Sequence, residues 1–240
     1  MISALGWDQH DEQARCADSS YVGAIEYADD FFRRIWVEMK RRCGDLSKMR
    51  LVFIADGANW IWDRVRELAN ERSFCILDFY HAIEHLSDLC KALYGEGSES
   101  YWQHYRGWRD MLWDGQVGVL IDELKLLRDG SRRKAHGHLI QGQINYFLQN
   151  AHRMDYQSYR SLRLPIGSGT VESGCKNVIG SRLKQGGMTW SQPGAEGMLQ
   201  IRSSLKSLRF KGDFSDLLSS TLSPESCVSS PHPHFRSTPR

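Results

Sequence analysis

Two acidic residues stand where short apolar runs of the chain end. The run LVFIA (51–55) is followed by Asp56, and the run SFCIL (73–77) is followed by Asp78. Carboxylate oxygens are the ligands that hard divalent cations such as Mg²⁺ prefer. Each aspartate is also suited to cap the helix after it, because Asp accepts hydrogen bonds from the first N–H groups of a helix. Asp56 and Asp78 are therefore candidate metal ligands or helix caps.

The segments around these aspartates predict a strand, a helix and a second strand. Both apolar runs are short and continuous, which is typical of strands that are buried on both faces. Residues 59–70, between them, have apolar side chains at helical spacing. A unit of this kind has parallel strands and a right-handed crossover, so both aspartates should lie at one edge of a sheet. Parallel sheets bind their ligands in the crevice at that edge.

A third acid, Glu172, stands near the start of another predicted helix, TVESGCKNVIGSRLKQ (170–185). It either complements the helix dipole or, if this helix folds back to the sheet edge, joins the two aspartates as a ligand.

Residues 151–212 carry 10 Lys+Arg against 3 Asp+Glu. A basic segment of this kind suits a face that binds phosphate backbones, although a solvated surface can have the same composition. The basic residues beyond Glu172 that we expect to contact DNA backbone are Lys176, Arg182 and Lys184.

The pentapeptide HAIEH (81–85) offers a different chemistry. His81 and His85 share one face of a helix, with Glu84 beside them, in the H-x-x-E-H pattern of zinc peptidases. Zinc would need a third protein ligand from elsewhere in the chain. A zinc metallopeptidase is therefore an alternative hypothesis.

The remaining sequence predicts helices and a polar tail. Helices are expected at 24–42, 79–93, 99–113, 116–128, 134–150 and 194–209. The last of these should bury Ala195, Met198, Leu199, Leu205 and Leu208. The stretch with Asp8, Asp11 and Asp18 is polar and predicts no strand. Residues 213–240 are rich in Pro and Ser and poor in large apolar groups, so we expect disorder there.

Composition sets the broad class. The chain has 240 residues, of which 41% are hydrophobic and 25% are charged, as in ordinary globular domains. Its six cysteines form no C-x-x-C pair, so we expect reduced thiols in a reducing compartment. The first residues lack a basic region followed by an apolar run, and no internal apolar run is long enough to span a bilayer. These features predict a soluble cytoplasmic protein that does not enter the membrane.

Three stretches, in this order and spacing, resemble bacterial insertion-sequence transposases of the Kra type. They are IADGANWIWD (54–63), ILDFYHAIEHL (76–86) and PIGSGTVESGCKNVIGSRLKQGGMTW (165–190). The likeness runs from about residue 20 to 210 and includes YFLQNAHRMDYQSYR (146–160). The resemblance implies a DDE transposase with an RNase H-like α/β fold, and catalysis dependent on Mg²⁺ or Mn²⁺. The implied partner is double-stranded DNA, both element ends and target, with a homo-oligomer as the active form. The implied catalytic and metal-binding residues are Asp56, Asp78 and Glu172.

The chain departs from that family pattern at one position. In an RNase H-like sheet a three-stranded meander and a helix separate the first two catalytic aspartates, whereas a single predicted helix separates Asp56 from Asp78. By this topology Asp56 matches the second catalytic aspartate of the family, and residues 1–50 offer no counterpart of the first. We therefore expect a truncated or inactive transposase fragment, or a DNA-binding remnant without catalysis. The predicted fold is a partial RNase H-like fold with short parallel strands and a large all-helical insertion. Its parts are a core at 1–95, an insertion at 96–165, C-terminal core helices at 166–212 and the tail at 213–240.

Overall fold

The two apolar runs form a parallel strand pair, as predicted. The computed structural model describes residues 1–8 and 13–215. Strand β3 (Val52–Ala55) pairs in parallel with β4 (Phe74–Leu77), and the last paired residues are Ala55 and Leu77. Helix α2 (Asn59–Leu68) connects them and buries Trp62 and Val65 against the core. A mixed α/β structure is therefore present, although it is mostly helical and this sheet has two strands among the described residues.

The N-terminal region is an antiparallel hairpin, so the prediction that it lacks strands was wrong. Strand β1 (Ile2–Asp8) pairs with β2 (Gln13–Ser20), with Asp8 opposite Gln13 at the hairpin end. Asp8 and Asp18 lie on these strands, while Asp11 lies outside the described residues. Strand prediction relies on β-branched and aromatic residues in alternation, and ISALGWD and QARCADSS have few of them. Backbone pairing forms this hairpin without that pattern.

Helices α3 to α7 pack with the strand pair around one core. The sequence predicted the bounds of four helices of this group to within two residues, because their apolar spacing is regular and glycine-containing turns separate them. These helices are α3 (Phe79–Tyr94), α4 (Glu99–Trp113), α5 (Val117–Asp129) and α6 (Lys134–Asn150), and the short α7 (Tyr156–Ser161) follows. Ile76 of β4, Leu86 of α3 and Leu120 of α5 are fully buried in the same cluster. The predicted helical insertion therefore shares its core with the strands.

The C-terminal helices begin with α8 (Gly169–Cys175), which continues through a π-helical segment (Lys176–Gly180) into α9 (Ser181–Leu183). Helix α10 (Gln192–Lys206) packs against the π-helical segment. Arg202 of α10 donates from Nε to the Val178 carbonyl at 2.7 Å and also bonds the Asn177 carbonyl. Arg202 therefore ties α10 to two consecutive carbonyls of the π-helical segment.

The predicted apolar stripe of the last helix was only partly correct. Leu199 is buried at 5% exposure, but Leu205 is 46% and Leu208 is 93% exposed. Helix α10 ends at Lys206, and Leu208 adopts a φ of 57°, so the chain has left the helix before Leu208. The first predicted helix also starts later than expected, as α1 (Ala28–Cys43), and before it the Ile25 N–H donates to Glu196 Oε2 at 2.8 Å.

The described residues end near the start of the expected tail. Residues 210–215 are helical, which contradicts the predicted disorder at 213–215. The rest of that predicted segment, 216–240, lies outside the described residues. No helix within the described ranges is both long and apolar enough to cross a membrane.

A pair of leucines in α5 tests whether the helical region has this core. Leu120 is 0% exposed and Leu126 is 74% exposed. We expect Leu120→Ala to lower the free energy of unfolding by about 2–5 kcal/mol, because it removes buried methyl groups and leaves a cavity. Leu126→Ala, with the same chemical change on the same helix, should lower it by less than about 0.5 kcal/mol. Urea denaturation measures both, and equal losses would contradict this packing.

Candidate functional site

Asp56 and Asp78 lie at the same edge of the parallel strand pair, as predicted. Each follows the last paired residue of its strand, and the Asp78 N–H donates to the Ala55 carbonyl at 2.8 Å. Their environments differ, because Asp56 is exposed whereas Asp78 is only 5% exposed. Two carboxylates at one strand edge therefore have unequal access to a ligand.

The Asp78 carboxylate is fully engaged by hydrogen-bond donors. Its Oδ1 accepts from the backbone N–H groups of Tyr80 at 2.8 Å and His81 at 3.4 Å, so it caps α3. Its Oδ2 accepts from the N–H of Ser168 at 2.9 Å and from the Ser168 hydroxyl. A carboxylate has about four lone-pair positions. These four donors therefore occupy its whole accepting capacity.

The Asp56 carboxylate keeps part of its capacity to accept hydrogen bonds. Its Oδ1 accepts from the Ala58 N–H at 3.0 Å, and its backbone carbonyl accepts from Trp62 Nε1 at 2.7 Å. Within the described ranges, Oδ2 of Asp56 has no hydrogen-bond donor. Both aspartates therefore make backbone bonds at the start of the following helix, and only Asp56 presents a free, exposed oxygen.

The loop before α8 is fastened to this edge at three consecutive residues. The Ile166 carbonyl accepts from the Phe79 N–H at 2.8 Å. Gly167 lies against the Tyr80 ring, and a Cβ there would be 2.5 Å from two ring carbons. Ser168 then bonds Asp78, so the helix that carries Glu172 starts at the strand edge.

Glu172 lies one turn into α8 with an exposed side chain. Its N–H donates to the Ser168 carbonyl at 3.1 Å, which ties its position to the fastened loop. Within residues 1–8 and 13–215, however, no three His, Cys, Asp or Glu side chains lie in an arrangement that could hold a metal ion. The structure thus brings Asp56, Asp78 and the start of the Glu172 helix together, without closing a three-carboxylate cluster.

Tyr146 of α6 is a neighbour of the site that sequence reasoning missed. Its ring lies against Gly57, where a Cβ would come within 2.6 Å of Tyr146 Cε2. Burial, together with the negative charges of Asp56 and Asp78, raises the pKa of the Tyr146 hydroxyl. The phenol therefore stays protonated. The sequence feature that reflects this contact is the glycine after Asp56, because the Tyr146 ring approaches too closely for a larger residue at position 57.

The H-x-x-E-H residues are placed on one helix face, as predicted, but one histidine is already engaged. His85 stacks on Tyr146 at 3.8 Å between ring centroids, and its Nδ1 lies 3.1 Å from Gln143 Oε1. Burial and the neighbouring His81 lower the pKa of His85, which favours the neutral ring. His81 Nδ1 lies 3.5 Å from Glu84 Oε2. The packing of His85 disfavours a zinc site here, and the described residues supply no third ligand.

The three predicted DNA-binding residues lie beyond Glu172 and are all exposed. Lys176 opens the π-helical segment, Arg182 lies in α9 and Lys184 follows α9. Their charges are available to an external polyanion.

No protein-family model, curated protein or solved structure matches this chain.

The contact between Gly57 and Tyr146 can be tested with two glycine substitutions. We expect Gly57→Ala to lower the free energy of unfolding by about 1–3 kcal/mol, because the new methyl group overpacks a ring that is itself held by His85. Gly142→Ala is the matched control, since Gly142 lies in α6 with nothing within 4 Å of its Cβ position. The control should raise stability by about 0.5–1 kcal/mol, because alanine favours helix. Chemical denaturation gives both values, and a neutral Gly57→Ala would contradict the close approach.

Proposed function

We propose that this chain carries part of the catalytic core of a DDE-type transposase, an enzyme that cleaves DNA strands and transfers an insertion sequence. One observation supports the proposal above all. Asp56 and Asp78 end neighbouring parallel strands, and the loop of residues 166–168 fastens the Glu172 helix to the same edge. Asp56, Asp78 and the start of the helix that carries Glu172 thus lie at one edge of one strand pair.

The order of elements also agrees with a partial RNase H-like fold. In that fold a meander of three antiparallel strands and a helix precede the strand that ends in the second catalytic aspartate. Here the β1–β2 hairpin and α1 precede β3, which ends at Asp56. The hairpin is not hydrogen-bonded to β3 within the described residues. We therefore assign Asp56 the place of the second aspartate, while the place of the first stays unfilled in residues 1–50.

The chemistry proposed for the site depends on divalent cations. Mg²⁺ or Mn²⁺, when bound, would stabilise the attacking and leaving oxygens of a phosphodiester. The donor set fits a hard cation, because the candidate ligands Asp56, Asp78 and Glu172 offer only carboxylate oxygens. Asp56 offers an exposed oxygen, and Glu172 has an exposed side chain. Lys176, Arg182 and Lys184 would hold the DNA backbone rather than select bases.

A second candidate function is a DNA-binding remnant without catalysis. The full engagement of Asp78 and the lack of a closed three-ligand cluster among the described residues favour it. In either case double-stranded DNA is the proposed partner, and a homo-oligomer is proposed for an active form.

Catalysis is tested by nicking of supercoiled plasmid in Mn²⁺ or Mg²⁺. We expect metal-dependent nicking that Asp56→Asn and Glu172→Gln each reduce by about a hundredfold, because loss of a ligand should cost at least as much as loss of an outer hydrogen-bond partner, which costs about 10–100-fold. Asp63→Asn is the control, because Asp63 is an exposed carboxylate of α2 paired with Arg66 on its own helix. Nicking that both site variants retain would reject the catalytic assignment. Absence of nicking in the folded chain, with DNA binding intact, would favour the remnant.

DNA binding is tested by the salt dependence of affinity. Replacing Lys176, Arg182 and Lys184 together by Gln should flatten the plot of log K against log [salt] by roughly 0.9 per lost phosphate contact. The control is the matched triple replacement of Arg132, Arg133 and Lys134, three exposed basic residues at the start of α6. Fluorescence anisotropy at several salt concentrations measures both slopes. Equal slopes for the two triple variants would place the DNA elsewhere on the molecule.

A further inference from the structure

We infer that Asp78 is a positioning residue: its carboxylate holds the loop of residues 166–168, and through it the Glu172 helix, instead of ligating the cation. The role of Glu172 in this statement rests on the proposed function. The fastening of the helix does not, and it can be measured alone. The inference also separates the two aspartates, which the sequence presents as equivalent.

The first argument is the accepting capacity of the carboxylate. Four N–H and O–H groups already point at Asp78, two from the start of α3 and two from Ser168. A cation at either oxygen would have to replace one of them. Three are backbone N–H groups, which move only if α3 or the loop moves. Exposed Asp56, with a free Oδ2, can accept a ligand without such a change.

The second argument is the orientation of the Ser168 hydroxyl. Ser168 is the N-cap residue of α8, a position where serine commonly accepts a hydrogen bond from an N–H of the first helical turn. Here the side chain makes no such bond and donates to Asp78 instead. Ser168 thus links α8 to α3 rather than capping its own helix, and a hydrogen bond to a charged acceptor is stronger than one to a neutral acceptor.

The third argument is how directly the Asp78–Ser168 bond acts on Glu172. The Ser168 carbonyl accepts from the N–H groups of Val171 at 2.6 Å and Glu172 at 3.1 Å. The residue held by Asp78 is therefore the same residue that starts the helical hydrogen bonds of Glu172. Loss of the bond to Asp78 should let the first turn of α8 open, while β3, β4 and α3 keep their own pairing.

The test compares four variants by hydrogen exchange and by Mn²⁺ binding. They are Ser168→Ala, Ser168→Thr, Asp78→Asn and the double variant with Ser168→Ala and Asp78→Asn. Ser168→Ala should speed exchange of amides 166–175 by about tenfold or more, as expected for loss of a bond to a charged group. Asp78→Asn should do the same, the double variant should add little, and Ser168→Thr should restore wild-type rates because it keeps the hydroxyl. Ser98→Ala, which removes the cap of α4, is the control and should speed exchange only near its own helix.

Mn²⁺ titration calorimetry separates the two roles of Asp78 by the sign of the effect. If Asp78 positions α8, Ser168→Ala and Asp78→Asn both weaken Mn²⁺ binding severalfold. If Asp78 is a ligand, Ser168→Ala removes one of the two donors on Oδ2 and strengthens Mn²⁺ binding, whereas Asp78→Asn weakens it. Opposite signs, or unchanged exchange at 166–175 in Ser168→Ala, would overturn the inference. Should the wild-type chain bind no Mn²⁺, the proposed function fails, while the exchange rates still decide the positioning role.

Discussion

The buried carboxylate of Asp78 connects the elements on which the candidate site depends. It follows β4, caps α3 and binds the loop that starts α8. Transfer of a charged carboxylate out of water is costly unless donors compensate it, and four donors do so here. The start of α3 and the loop supply two donors each, so displacing either of them leaves the charge less satisfied. The strand end, the helix start and the distant loop are therefore mutually dependent.

The fold was predictable where burial imposes a regular pattern on neighbouring residues. Strands β3 and β4 are continuous apolar runs, and helices α3 to α6 have apolar faces at helical spacing, so their types and bounds followed from the sequence. The β1–β2 hairpin was not predictable, because its strands are stabilised by backbone pairing and carry no apolar alternation. The predicted burial of Leu208 on the apolar stripe of α10 was wrong for a related reason. Periodicity cannot show that the chain leaves the helix two residues earlier.

The candidate site was predictable as a place but not as a set of contacts. The end of a parallel strand pair is a local feature of two short runs, so Asp56 and Asp78 could be assigned to one edge. The different states of the two aspartates arise from a residue 90 positions further along, Ser168, and no local pattern connects it with Asp78. Tyr146 was missed for the same reason, since its place beside Gly57 depends on how α6 crosses the strand edge. Long-range polar contacts of this kind require the tertiary structure.

The charges around the edge would make the proposed DNA binding and the proposed DNA cleavage separable. Asp56 and Asp78 are both negative groups at the strand ends, and they repel a phosphate unless a cation lies between them and the DNA. Lys176, Arg182 and Lys184, in contrast, are exposed on the α8 side and attract a phosphate backbone without a metal ion. Under the proposed function, loss of one ligand carboxylate would therefore weaken cation binding first and leave the attraction for DNA. The same arrangement of charges is thus compatible with a working transposase core and with a remnant that binds DNA without cleaving it, and the cation distinguishes them.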